Sequence, residues 1–566
     1  MATDRIIEGH IVDVINSRII DSEIVIEKGR ISRISQKEGI SSDAPYLLPG
    51  FIDAHVHIES SMLLPTEFAK MAVRHGTVGA VADPHEIANV VGIDGVDYMI
   101  DDGKRVTFHF CFGAPSCVPA TNFETSGARL DTAEVTELLQ RDDIHFLSEM
   151  MNFPGVLGHD AEVWAKLAAA RATGKPVDGH APGLRGDDAI AYIDAGISTD
   201  HECSNIDEAK ERIMQGMKIL IREGSAAKNF DALIPLVNDY ADRLMFCSDD
   251  KHPDELVRGH INVLVKRAID KGYPLWNVLR TACLNPVKHY KMDCGLLREG
   301  DSADFIAVDN LEDFNILSTT IAGTEVYSAK KGWCPAYNEA TQQNVEKARQ
   351  ATATTFPNKF NATPLTEKDI ELIVHFRRIK AMKASNGELF TQCVVVRPIQ
   401  IEGVFAHLLH PDPSEDLLKL VVYNRYEPSH PQVTMIKGFG LKKGALASTI
   451  AHDSHNLIAV GATDADIVKA INTLIDMKGG IAVSEDEKVE TLPLPIAGLM
   501  SPMSGEEVAH RYQELNDLAH HLGTTFSAPF MTLAFMALLV IPELKLSDKG
   551  LFDVTKFAFT NIEAHE

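Results

Sequence analysis

Residues 51–82 read FIDAHVHIESSMLLPTEFAKMAVRHGTVGAVA, and their pattern sets the architecture. The apolar run FIDAHVH is followed by LPTEFAKMAVRHG, in which Leu64, Phe68, Met71 and Ala72 fall on one helical face. A second apolar run, TVGAVAD, comes next. Strands apolar on both faces and joined through a helix belong to a parallel sheet covered by helices. The same unit recurs through VTFHFCFG, IHFLSEM, PVDGHAP, ISTDHE, MKILIREG and RLMFCSDD, giving eight strand candidates, each with a helix after it. Eight such units predict an α/β fold, a (β/α)8 barrel over residues 51–290. A doubly wound open sheet is the alternative, because periodicity does not show whether the sheet closes.

The flanks differ. EIVIEKGRISRIS alternates apolar and polar residues around a turn at Lys28-Gly29, and residues 1–50 read as β structure. Strand character returns in GLLREGDSADFIAVD and GTEVYSAKKG, so residues 291–337 are expected to pair with 1–50 in one small composite β domain. Residues 338–368 are polar and read as a linker, and 369–566 as a separate C-terminal α+β domain.

Composition narrows the function classes. Lys plus Arg is 54 and Asp plus Glu is 80, a net charge of −26. Nucleic acid and anionic membranes demand clustered positive charge, so neither is the expected partner; a small neutral molecule suits the chain better. MATDRIIEGHIVDV has no basic segment before an apolar core, so no signal peptide is expected. FMTLAFMALLVIP, near residue 530, is too short for a bilayer and reads as a buried helix. Eight scattered cysteines without a Cys-x-x-Cys pair suit reduced thiols in a cytoplasmic protein.

In a (β/α)8 barrel the reactive groups stand where strands end and βα loops begin. Strand one ends with His55 and His57, two apart and so on one side of the strand. Strand two ends with Asp83, His85 and Glu86, strand four with Glu149, and strand five with Asp178 and His180. Strand six adds His201 and Glu202, and strand eight Asp249 and Asp250. Each has an ordinary explanation on its own. His180 and His201 could be structural, Asp249 could cap the next helix, and Glu149 could pair with a basic residue or cap the following turn. Four imidazoles and two carboxylates at one mouth instead suit two divalent cations, with Glu149 as the carboxylate between them. In the last domain His452 and His455 are either structural or part of a loop closing over the barrel mouth.

LLPGFIDAHVHIESS resembles the first strand of the amidohydrolase superfamily. VADPHEIANVVG, SEMMNFPGV, DGHAPGL, TDHE and SDDKHPDEL occur in order and are similar to the adenine deaminase family within it. AHDSHNLIAVGATDADI extends the likeness into the C-terminal domain, so it covers almost the whole chain. The resemblance implies hydrolysis of adenine, a small-molecule substrate, to hypoxanthine and ammonia by a metal-activated hydroxide in purine salvage. It further implies a cytoplasmic homo-oligomer, a dimer, and two divalent metal ions, manganese or iron, with zinc a further fit.

Carried over by position, His55, His57, Glu149 and Asp249 hold one metal, and Glu149, His180 and His201 the other. Many cyclic-amide hydrolases of the superfamily bridge their metals with a carboxylated lysine on strand four. Here the matching position is Glu149, and Lys175 lies at the wrong end of the barrel. Cytosine-deaminase-like relatives carry His-x-x-Glu after strand five, whereas His180 is followed by Ala-Pro-Gly. Asp249 is the expected proton carrier, with Glu86, Glu202 and Asp250 as candidates to protonate the ring nitrogen. Asp83, His85 and Asp178 are expected to touch substrate or steady the ligands from behind.

The rival readings are a hydantoinase- or dihydropyrimidinase-like hydrolase, another aminopurine deaminase, and a non-catalytic barrel. A cytidine-deaminase type of zinc site is excluded, because Pro-Cys-x-x-Cys is absent.

Overall fold

The computed structural model describes residues 5–334, 356–375, 378–386, 390–396 and 407–564. The eight expected strands form at Phe51–Val56, Thr77–Ala82, His109–Ala114, Phe146–Met150, Val177–Gly179, Thr199–Asp200, Lys218–Arg222 and Leu244–Cys247. Strands one to five pair in parallel, as do six to eight. Two junctions close the ring. Between five and six, Ser198 N donates to Val177 O at 2.9 Å. Between eight and one, Asp249 N donates to His55 O at 2.9 Å and His57 N to Asp249 O at 3.3 Å. The open-sheet alternative is therefore set aside. Ala54, Val81, Cys111, Phe146, Leu220 and Met245 fill the barrel interior, and the helices pack outside.

The composite β domain is one eight-stranded sheet drawn from both flanks. Tyr46–Pro49 is its seam, parallel to Arg5–Asp13 on one side and antiparallel to Phe305–Val308 on the other. Gly50 leads from that seam into the first barrel strand. A Cβ there would lie 2.2 Å from Val78 Cγ1, so only glycine lets the chain pass this close to strand two.

A second eight-stranded sheet carries the C-terminal domain. The helix Asp464–Met477 covers one face, where Ala470, Ile471 and Leu474 meet Val421, Ala447 and Ala459. The other face joins the barrel's own core without a break. Of the expected linker, residues 338–355 lie outside the described residues. The following stretch lies along this domain, with Ala362 and Leu365 buried in its second core. The apolar run near residue 530 is buried, but its helix, Pro529–Phe535, is shorter than the run, and residues 536–541 form turns instead. A short apolar run carries no period long enough to separate helix from buried turn. No helix among the described residues is long and apolar enough to cross a membrane.

Candidate metal centre and active site

Strand one delivers His55 and His57 side by side, with their Nε2 atoms 3.2 Å apart. Both face Asp249 Oδ1, at 3.5 and 3.3 Å. Asp249 adopts φ 54°, a left-handed conformation that costs a non-glycine residue on the order of 1 kcal/mol. The backbone bonds that close the barrel between strands eight and one hold it there. It caps nothing: the next helix, Pro253–Leu256, has His252 at its N-cap.

Glu149 answers to both sides of the mouth. Its Oε1 lies 3.3 Å from His57 Nε2, and its Oε2 lies 2.9 Å from His180 Nδ1 and 3.2 Å from His201 Nε2. Burial alone would raise this carboxyl, but His180 and His201 beside it hold it well below the ordinary range. Among the described residues its ion pairs are with histidines, and none is with a lysine or arginine. Lys175 Nζ donates instead to Leu139 O and Arg141 O, both at 2.7 Å.

The donor set fits divalent cations. His55, His57 and Asp249 form one group able to hold a metal, and His55, Glu149 and His201 another. All are buried, and two imidazole nitrogens 3.2 Å apart, both turned toward one carboxylate oxygen, present lone pairs to a common point. His57, Asp83, His85 and Glu149 make a further group, since His85 Nδ1 is 3.1 Å from Asp83 Oδ2 and 3.6 Å from Glu149 Oε1.

Around this centre the carboxylates are in different states. Arg222, at the end of strand seven, is paired with both oxygens of Glu202 and with Asp249 Oδ2 at 2.8 Å. Burial would raise Glu202, yet Arg222 together with His180 and His201 outweighs it and lowers the group below the ordinary range. Asp250 accepts a hydrogen bond from Ser60 Oγ at 2.5 Å, and burial together with Asp249 pushes it up. Glu86 is gripped by His452 and His455 of the C-terminal domain. Asp178 is buried away from the cavity, where it accepts hydrogen bonds from Thr199 Oγ1 at 2.8 Å and Tyr290 OH at 2.9 Å. Burial pushes it up to about 7.

The cavity above the centre is lined by His57, Glu149, Asp249, Asp250 and Arg222 on the barrel side. Its opposite wall is His452, Asp453, Phe535, Leu538 and Ile541, all from the C-terminal domain. His452 lines the cavity, as expected of a loop over the mouth, whereas His455 does not line it and is bonded to Glu86 and to Ala451 N. Arg222 escaped the sequence reading, although an arginine ending the apolar run KILIR was a usable signal. Phe535, Leu538 and Ile541 gave none, because apolar residues in an apolar run look like core.

Residues 46–326 match the model of the Amidohydrolase family, the class to which a closed barrel with this mouth belongs. Residues 388–558 match the adenine deaminase C-terminal domain. Relatives named adenine deaminase are similar over nearly their whole length. That of Methanosarcina mazei is 53% identical over 99% of both chains, that of Salinibacter ruber 51% over 98% of both, and that of Borreliella burgdorferi 44% over 98% of this chain and 99% of its own. The chain belongs to the adenine deaminase family. Among solved structures, β-aspartyl dipeptidase of Fervidobacterium islandicum aligns with TM-score 0.45 at 16% identity, covering 60% of this chain and 99% of its own.

Proposed function

We propose that this chain hydrolyses adenine to hypoxanthine and ammonia in purine salvage, using a pair of divalent cations. The observation that carries the reading is Glu149, one carboxylate whose two oxygens face two separate sets of imidazoles beneath a roof made by the C-terminal domain. His55, His57, Glu149 and Asp249 would hold one ion, and Glu149, His180 and His201 the other. Nitrogen and oxygen donors of this kind suit manganese or iron, and zinc as well. Divalent ions held there would lower the pKa of water to roughly 7 and so supply a nucleophile without a strong base.

The protein's own groups do the rest. Asp249, kept ionised against its burial by Arg222 together with His55 and His57, takes a proton from the attacking water and passes it toward the departing amine. Met151, Phe535, Leu538 and Ile541 give a flat uncharged ring an apolar seat and keep bulk water away. A cyclic-amide hydrolase would favour a bridging lysine, and Lys175 is committed to carbonyls elsewhere.

The test uses protein stripped of metal and reloaded with manganese or iron. Given adenine, it is expected to release hypoxanthine and ammonia in equal amounts. No turnover of adenine, with ring opening of a hydantoin or dihydropyrimidine, would sink the reading.

A further inference from the structure

Hydrolysis at the amino-bearing carbon requires a proton on the neighbouring ring nitrogen as the tetrahedral centre forms. Glu86, Glu202 and Asp250 were the candidates, and the partners of the first two count against them. Glu202 is held by Arg222 and keeps no proton to give. Glu86 is surrounded by donors: His452 Nδ1 is 2.5 Å from its Oε1, and His455 Nε2 meets its Oε2.

Glu86, His452 and His455 could also be read as a third metal site. The tautomer of His455 decides between the two. Its Nδ1 accepts a hydrogen bond from Ala451 N at 3.3 Å, so in the neutral ring the proton sits on Nε2 and is donated to Glu86. A protonated nitrogen has no lone pair for a cation. Burial lowers the pKa of His455 and keeps the ring neutral. Its backbone is left-handed at φ 52°, a strain that persists only where the surroundings impose one conformation. Glu86 therefore accepts from two imidazoles and is an orienting group, not an acid.

His452 is placed differently. Its Nδ1 is committed to Glu86, which leaves Nε2 as its remaining polar atom, and the residue is part of the cavity wall. Its ring stacks on Phe535, with centroids 5.1 Å apart and planes at 28°. A carboxylate fixing one ring nitrogen while the other faces the reacting group is the working arrangement of catalytic histidines. Asp250 also stands near, and with Glu86 it outweighs the burial of His452.

We infer that His452, a residue of the C-terminal domain, is the group that protonates the purine ring nitrogen, held in position by Glu86 and, through Glu86, by His455. This rests on the deaminase reading above. As the carbon–oxygen bond forms, the ring's carbon–nitrogen π pair moves onto the nitrogen, which takes the proton from His452 Nε2. When the carbon–nitrogen bond to the amino group breaks, one proton of the attacking water leaves with the ammonia. The other restores His452, and hypoxanthine keeps the ring N–H.

The experiment compares the metal-loaded wild type with His452→Ala, using adenine as substrate. The variant is expected to keep two metals per chain and its melting temperature, while kcat falls about a hundredfold or more. Added imidazole is expected to restore turnover several-fold, which no purely structural role would allow. Turnover within about threefold of wild type would overturn the assignment, as would a loss of metal in step with activity. If His452→Ala does not fold, His452→Gln, which keeps the bulk but cannot deliver the proton, decides by the same readings of metal, melting and kcat. Failure of the wild type itself to use adenine would instead remove the deaminase reading.

Discussion

Glu149 lies between Leu147 and Met150 on a strand with every residue buried, where an unpartnered carboxylate would be costly. Its partners are the imidazoles of His57, His85, His180 and His201, from the ends of four other strands, and the bridging role proposed for it rests on that placement. Glu149→Gln is expected to lose metal and activity together, read by metal analysis alongside turnover; full occupancy with near-normal turnover would make it structural. Arg222 is the opposite case, a buried cation neutralising two carboxylates. Arg222→Met leaves Glu202 and Asp249 uncompensated and is expected to cost about 3–5 kcal/mol of stability, measured by denaturant unfolding. The ligand types at the strand ends were legible in the sequence because each ends its own apolar run. Arg222 was passed over because nothing local marks which acids it will meet.

The elements that matter most are the βα loops, where barrel and C-terminal domain interlock. After strand three, Glu124 accepts from Thr121 Oγ1 at 3.1 Å beside Asp453 and Asp548. Burial, with those two acids, pushes it from 4.5 up to about 8. The folded state thus takes up a proton as the pH falls from 8 to 4.5. The contribution to stability is fully present below the lower value and is lost as pH rises through the upper one. Glu124→Gln is expected to flatten that decline, melting above the wild type at pH 9 and near it at pH 4.5. A variant with an unchanged pH dependence would count against this. The helix Gly505–Leu522 docks by a different contact, the 2.6 Å hydrogen bond between Tyr512 OH and His252 Nδ1. Tyr512→Phe is expected to lower stability by about 1–3 kcal/mol with kcat unchanged, since neither residue lines the cavity.

At the scale of the molecule, one apolar core runs from Val12 through the barrel to Leu551. Barrel and C-terminal domain are therefore expected to unfold in one calorimetric transition; two well-separated transitions would show that they are independent. The sequence by itself determined the eight βα units, the β flanks and the ligand types at the strand ends, because these follow from local period and from each strand's own terminus. It left open whether the sheet closes, since closure rests on hydrogen bonds from Asp249 and Ser198 to strands distant in the chain. It could not place His452, Asp453 and Phe535 over the mouth either. Glu86 and His452 are 366 residues apart, and no local pattern records a contact made only when two domains pack. Periodicity reports what each segment buries. Only tertiary packing decides what it is buried against, and here that decision puts the C-terminal domain into the active site.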